Sequence, residues 1–326
     1  MPRIVALDPT TYVRHRTHRG ERIWAETNCY TDVVIELLHG LGYEPLAAMP
    51  FTLTVDFDVD QWTFFKFRHA DIETMYGQGI HELAPWLPLH EHVEQNVAAG
   101  RPVLVELDSF YLPDTASAAY GLAHIKSTVA VIDIDVAAER MGYFHNQGFH
   151  VLQGADFAAI FQTAGLVHPR MLPPYIEFLK PLPRARALAG PALVEASVLA
   201  LRRELGRLPP VNPFLPFKAR FEGDLAWLIG ADIERFHAYS FATLRQYGSS
   251  YELGATYLRW LGENGVAGTE APAEAFLSIS RDTRALQFQL ARAMARKRPV
   301  DLGVLDGMAA RWEEATTALV RTFGVG

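Results

Sequence analysis

The sequence predicts an α+β N-terminal part, in which a helix packs on an antiparallel sheet, followed by an all-helical C-terminal part. Segments rich in β-branched and aromatic residues and bounded by turn formers lie before Gly154. Beyond residue 217, apolar residues recur three and four positions apart, as in amphipathic helices. With 326 residues, of which 49 % are hydrophobic, the chain is long enough for two domains with their own cores.

The first predicted helix runs from about Cys29 to His39. Apolar residues recur at helical spacing in CYTDVVIELLHGLG, and two glycines supply the stop. Thr27 or Asn28 is the predicted N-cap, because both residue types accept hydrogen bonds from the first turn of a helix.

Four segments are predicted to be neighbouring strands of one sheet: 102–108, 127–135, 141–146 and 149–153. The stretch FYLPDTASAAYG between the first two has the Pro, Asp, Ser and Gly content of an ordered loop. Half of the 20 prolines lie between His168 and Pro216. We therefore predict a domain at 1–170, a proline-rich connection at 171–216 and a helical domain at 217–326.

The charge is unevenly distributed. Residues 1–168 hold 10 Lys and Arg against 21 Asp and Glu, whereas residues 169–326 hold 20 against 16. The acidic total of −7 excludes a dedicated nucleic-acid binder. The basic excess of the C-terminal part favours an acidic partner.

Several other classes of protein are also excluded by sequence pattern. No apolar run reaches the ~18–20 residues of a membrane span, and the first 22 residues lack a secretory signal, so we expect a cytoplasmic protein. The GxxxxGK and GxGxxG phosphate-binding motifs are absent, and no His or Asp spacing matches a metal site. The sequence therefore predicts no metal and no bound cofactor.

Cys29 is the one cysteine, so an intramolecular disulfide is impossible. The first turn of a helix stabilises a thiolate through backbone N–H groups and the positive end of the helix dipole. Cys29 is therefore a candidate nucleophile. The alternative is a small buried apolar residue, which is common for free cysteines.

A cysteine nucleophile needs a histidine, and His124 stands just ahead of an apolar strand. The next predicted strand ends with His145 and Asn146, and Asn146 could orient the His124 ring. The chain order Cys, His, Asn is that of papain-like cysteine enzymes. Whether Asn146 or His145 points inward stays open, with Asp133 or Asp135 as a further alternative.

Sequence blocks along nearly the whole chain resemble the signature blocks of a bacterial family with a domain of unknown function. They are WAETNCYTDVVIELLHGLG, VDFDVDQWTFFKF, GRPVLVELDSFYLPDT, AHIKSTVAVIDID, YFHNQGFHVLQGADF, YELGATYLRWL and QFQLARAMARK. More distantly, Cys29, the GRPVLVELDSFYLP block and the His124 strand resemble the butirosin biosynthesis protein H family of papain-fold acyltransferases.

This resemblance implies a papain-like domain that takes an aminoacyl group from the phosphopantetheine thioester of a carrier protein and passes it to a small-molecule amine. It implies Cys29 as nucleophile, His124 as general base and acid, and Asn146 as orienting residue. The backbone N–H of Cys29 is the expected oxyanion donor, and Asn28 or a side chain further upstream could supply the second. The implied partners are an acidic carrier protein and the amino acid ligase that loads it.

Two further residues are candidates for the site, and two other functions are compatible with the sequence. Asp108 and Tyr111, ahead of His124, are expected either to line the acceptor pocket or to shape the turn. The same site with water as acceptor would be a thioesterase or peptidase. A third hypothesis is a non-catalytic scaffold that binds the carrier protein.

Overall fold

A computed structural model describes residues 2–163, 174–297 and 300–324 of the chain. The described residues form eleven α-helices: α1 Arg16–Arg19, α2 Cys29–Gly40, α3 His69–Tyr76, α4 Leu89–Ala98, α5 Ala155–Phe161, α6 Gly190–Leu205, α7 Phe214–Leu228, α8 Ile233–Ala242, α9 Leu244–Glu263, α10 Glu270–Arg296 and α11 Gly303–Phe323. None of these helices is long and apolar enough to span a membrane.

The same residues form eight β-strands: β1 Phe57–Asp58, β2 Gln61–Trp62, β3 Gln78–Glu82, β4 Val103–Asp108, β5 Lys126–Asp135, β6 Arg140–His145, β7 Gly148–Gln153 and β8 Ile176–Pro181. The chain divides into two compact units. Unit 1 comprises Met1–Arg19, Cys29–Pro45 and His69–Ala187, and unit 2 comprises Gly20–Asn28, Leu46–Arg68 and Leu188–Gly326.

Unit 1 is built on a six-stranded sheet with the order β3-β8-β4-β5-β6-β7, in which every neighbouring pair is antiparallel. The four predicted strands are β4 to β7, and they are neighbours in the order of the sequence. The predicted helix on an antiparallel sheet is confirmed, and α2 extends one residue beyond the expected end at His39.

The two faces of the sheet carry different helices. Side chains alternate along a strand, so Thr128 and Ala130 of β5 share one face and Val129 and Val131 share the other. Helix α2 packs against β5 and β6, and its Gly40 is so close to the ring of Phe144 that a Cβ would overlap the ring. Phe144 pairs with Ala130, which places α2 on the Thr128 face.

The opposite face of the sheet carries an apolar core. Val129, Val131 and Tyr143 pack there with residues of α4 and α5. Unit 1 is therefore a sheet covered by helices on both faces, with α2 against β5 and β6 on the Thr128 side.

The predicted proline-rich connection at 171–216 contains regular structure in much of its described part. It includes strand β8, which pairs with both β3 and β4, and helix α6. Two of its prolines lie at the ends of these elements, where a missing backbone N–H disrupts little hydrogen bonding. Pro181 is the last residue of β8, and Pro191 lies in the first turn of α6, where a backbone N–H has no helical partner anyway.

Unit 2 is mainly helical, as expected for the C-terminal part. Helix α9 packs against α10, and α10 packs against α11. The short β1–β2 ribbon belongs to this unit, and its Phe57 and Trp62 contact the ring of Phe217 on α7. Phe57 and Trp62 are thus part of the core of the helical unit.

Candidate active site

Cys29 is the first residue of α2 and is half-buried. Its Sγ lies 3.8 Å from Oγ1 of Thr128 on β5, which is within hydrogen-bond distance for sulfur. Among the described residues, Thr128 is the only hydrogen-bond partner of Sγ, so no histidine ring nitrogen bonds to the sulfur. The sulfur therefore lies at a helix N-terminus, facing a strand hydroxyl.

His124 precedes β5 and is held by Asp108 at the end of β4. The Nδ1 of His124 donates to Oδ2 of Asp108 at 2.6 Å. The other carboxylate oxygen of Asp108 accepts from the backbone N–H of Phe110, and the Phe110 ring stacks on the imidazole with the centroids 4.4 Å apart. The His124 side chain is nevertheless 65 % exposed, so a substrate can reach its Nε2.

Strand register places the Asp108 carboxylate and the contact of Cys29 on one face of the sheet. Asp108 pairs with Lys126, and Glu106 pairs with Thr128. Residues two apart share a face, so Lys126 and Thr128 point to the α2 side together with Asp108. Asp108 lies beside Lys126, two residues before Thr128 on β5. The two positions are therefore separated by roughly 7 Å along the strand direction.

A buried carboxylate lies on the same face. Glu177 of β8 pairs with Leu104 of β4 and is only 2 % exposed. It accepts hydrogen bonds from the hydroxyls of Tyr30, next to Cys29, and Tyr175. Burial, with the charge of Glu177 adding to it, raises the pKa of Tyr30 well above 10.0, so this hydroxyl stays protonated and donates.

The predicted contact between Asn146 and His124 does not form. Asn146 lies in the turn between β6 and β7 with a φ of 48°, and Asp108 occupies the position at the His124 ring that Asn146 was expected to take. His145 pairs with Val129 and so belongs to the face opposite Thr128. Neither residue of the 145–146 pair orients His124.

The remaining predicted site residues surround these positions. Tyr111 makes an edge contact with the His124 ring at 6.3 Å and also packs against the core of the sheet. Asn28 is buried directly before Cys29, and its Nδ2 donates to the carbonyl of Phe65. Of the further alternatives, Asp133 forms ion pairs with Arg3 and Arg140 at the other end of β5.

Comparison with protein families assigns both parts of the chain. The model of the DUF1839 N-terminal domain matches residues 13–181, and that of the DUF1839 C-terminal domain matches residues 190–321. The chain belongs to the DUF1839 family. The expected membership of a family with a domain of unknown function is thus confirmed, and no curated protein matches significantly.

This DUF1839 chain also contains a relay of hydrogen bonds that the sequence analysis did not identify. The hydroxyl of Ser127 donates to Nε2 of His145 at 2.6 Å, and Nδ1 of His145 donates to Oδ2 of Asp114 at 2.5 Å. The Tyr143 hydroxyl donates to the other oxygen of Asp114. These residues are up to 31 positions apart, so only the strand register reveals the relay.

A second overlooked cluster lies inside α2. Asp32 and Glu36 are fully buried in an otherwise apolar helix, and both carboxylates contact the ring of His18. Two acids four residues apart in an apolar run are a sequence signal, because buried charges require partners. In the described ranges, no group of three or more His, Cys, Asp or Glu side chains could hold a metal ion.

Proposed function

We propose that the chain is a papain-like cysteine acyltransferase that moves an aminoacyl group from a carrier-protein thioester to an amine. One observation carries the proposal. The sulfur of Cys29 faces Thr128 of β5, and Asp108 of β4, whose carboxylate holds His124, lies on the same face of the sheet and pairs with Lys126, two residues before Thr128. Nucleophile and base would thus be set against the same face of one rigid sheet.

In the first step, the thiolate of Cys29 attacks the carbonyl carbon of the thioester. A bond forms between Sγ and the acyl carbon, and the bond from that carbon to the pantetheine sulfur breaks. The backbone N–H of Cys29, at the start of α2, stabilises the oxyanion, and Asn28 or a side chain further upstream is the proposed second donor. The leaving thiolate takes its proton from His124 or from solvent.

In the second step, the acceptor amine attacks the acyl group on Cys29. Nε2 of His124 takes the proton from the amine while the C–N bond forms and the C–S bond breaks, which regenerates the thiolate. Asp108 keeps the proton of the neutral ring on Nδ1, so that Nε2 is free to act as the base. We therefore assign to Asp108 the orienting role that the resemblance implied for Asn146.

The charge of this face supports cationic substrates. Glu106, Asp108 and Glu177 all point to the α2 side, where Lys126 forms an ion pair with Glu106 at 2.7 Å. The remaining acidic groups favour a protonated aminoacyl group or an amine acceptor over an acidic substrate.

A basic face on α10 supports an acidic carrier protein as the partner. Arg281, Arg284, Phe288, Arg292 and Arg296 are exposed and lie three or four residues apart, so they share one side of the helix. Arg281 pairs with Glu274, whereas the other three arginines form no ion pair within the described parts of the chain. Their guanidinium groups are available to carboxylates of a partner.

A non-catalytic carrier-binding protein is the second candidate function. The observation that favours it is the contact of Sγ with the hydroxyl of Thr128 and not with an imidazole. In that case the basic face would bind the carrier while Cys29 remained inert.

Product analysis with an aminoacylated carrier protein separates these functions. Wild type, Cys29→Ala and the exposed control Ser117→Ala are incubated with loaded carrier, with and without a panel of amines. We expect amide product from wild type and Ser117→Ala only. Free acid formed equally fast without amines would identify a hydrolase. Carrier binding without acyl loss, equal in wild type and Cys29→Ala, would identify the scaffold.

A further inference from the structure

The relay at Asp114 crosses from a loop to the sheet. Its members are Asp114, Ser127, Tyr143 and His145, here called the Asp114 network. Ser127 and His145 are 8 % and 1 % exposed, and Tyr143 is fully buried. Three of the four lie on the adjacent strands β5 and β6, whereas Asp114 belongs to the segment 109–124, which joins β4 to β5.

This segment carries the aromatic ring that stacks on His124. It begins after Asp108 and ends at His124, and its Phe110 stacks on the ring with an interplanar angle of 8°. The hydroxyl of Thr115, next to Asp114, donates to the carbonyl of Ser109 at 2.9 Å. Thr115 and Ser109 thus connect Asp114 to Phe110.

Asp114 is held as a carboxylate. Burial alone would raise its pKa, but the hydrogen bond and charge of His145, with the Tyr143 hydroxyl and the charge of His150, lower the pKa below 3.8. Charge-assisted bonds of this kind are among the stronger ones in proteins, and removing one partner leaves a buried polar group unsatisfied. These two bonds thus tie Asp114 to strand β6.

We propose that Asp114 and His145 are positioning residues for His124, acting through the segment 109–124 from the opposite face of the sheet. The relay resembles a Ser–His–Asp triad in its bonding, but Ser127 points into the core side among Leu107 and Val129. The network fixes the loop, and the loop fixes the ring. The catalytic role of this positioning rests on the proposed function, whereas the effect of the network on the orientation of the His124 ring does not.

The test compares Asp114→Asn with Asp135→Asn. Asp135 lies at the far end of β5, where its carboxylate accepts from the backbone of Ala138, so it controls for the loss of one acid. The ring ¹⁵N shifts of His124, measured at pH 8, report which nitrogen carries the proton. Amide hydrogen exchange reports the mobility of residues 109–124.

In Asp114→Asn we expect amide exchange in the segment to rise at least tenfold and the fraction of His124 with its proton on Nε2 to rise at least twofold. Exchange in α2 and both readouts in Asp135→Asn should stay at wild-type values. Tyr143→Phe, which removes one bond and keeps the ring, should shift both readouts in the same direction by less. It also serves as the test variant if Asp114→Asn does not fold.

Unchanged ¹⁵N shifts in folded Asp114→Asn and in Tyr143→Phe would overturn the proposal. Covalent labelling of Ser127 by a fluorophosphonate probe would also overturn it, because the relay would then be a nucleophilic site. If acyl transfer is measurable, Asp114→Asn should lower kcat about tenfold with KM within twofold of wild type. If wild type shows no acyl transfer but the ¹⁵N shifts of His124 still change in Asp114→Asn, the proposed function is rejected and this inference stands.

Discussion

Single residues decide how the His124 ring is oriented. Asp108 bonds to the ring and to the backbone N–H of Phe110, which fixes both carboxylate oxygens. Asn146 instead adopts a left-handed turn conformation with a φ of 48°. A residue with this backbone conformation, in the turn between β6 and β7, contributes to the hairpin and not to the ring.

Replacing Asp108 and replacing Asn146 should affect the acyl-transfer rate to very different extents. Asp108→Asn should lower the acyl-transfer rate by about 10² or more, because an amide at this position can stabilise the wrong tautomer of His124. Asn146→Gly, which tolerates the positive φ, should leave the rate within about twofold. Single-turnover rates of the two variants are the measurement. A larger loss in Asn146→Gly than in Asp108→Asn would contradict the assignment.

The sequence was enough to place Cys29 at the start of a helix and His124 just ahead of a strand. It was not enough to identify the partner of His124. Cys29 and His124 are recognisable from local pattern alone. The choice between Asp108 and Asn146 depends on which strands flank β5 and on their register, because Asp108 ends one neighbouring strand and Asn146 directly follows the other. The same reason hid the bond between Asp114 and His145.

At the scale of elements, α2 is fixed against the sheet by close packing at both ends. Cys29 contacts β5 at the start of the helix, and Gly40 contacts Phe144 of β6 at its end. The Phe144 ring is fully buried and packs against Tyr12 and Phe149. It therefore has little room to move away from a larger residue at position 40.

Gly40→Ala should accordingly destabilise the protein by about 1–3 kcal/mol, since the added methyl group overpacks the interface. Gly223 in α7 is the matched control, because a Cβ there meets no atom within 4 Å. Gly223→Ala should be neutral or stabilise by about 0.5–1 kcal/mol. Urea unfolding of both variants is the measurement, and equal free energies of unfolding for the two would contradict the packing argument.

The element pattern was predictable where it was regular. Strands β4 to β7 follow one another in the sheet as they do in the sequence, so local hydrophobic pattern was enough to predict them. Strand β8 was not predicted, because prolines border it and it enters the sheet between β3 and β4, far from its sequence neighbours. Such a position is set by long-range pairing that no local pattern encodes.

At the scale of the whole molecule, charge is separated along the chain. The net charge is negative in residues 1–168 and positive in residues 169–326, and α10 concentrates four arginines on one side. A basic helix face in an acidic protein attracts acidic partners and increases their rate of association at low salt.

Charge reversal on this face should weaken carrier binding. Arg284→Glu combined with Arg292→Glu should raise the Kd for an acidic carrier protein at least tenfold and reduce its dependence on salt. Arg202→Glu combined with Arg321→Glu makes the same charge change at exposed sites of α6 and α11 and should have less than a threefold effect. Equal losses in the two double variants would mean that net charge, and not the α10 face, governs binding.

The most direct measurement of the central claim is the intact mass of the protein after brief exposure to an aminoacylated carrier without an acceptor amine. The account predicts that wild type gains the mass of one aminoacyl group, that peptide mapping places it on Cys29, and that adding amine removes it. Cys29→Ala should gain nothing. An aminoacyl adduct on another residue, or transfer to amine by Cys29→Ala at the wild-type rate, would contradict the account.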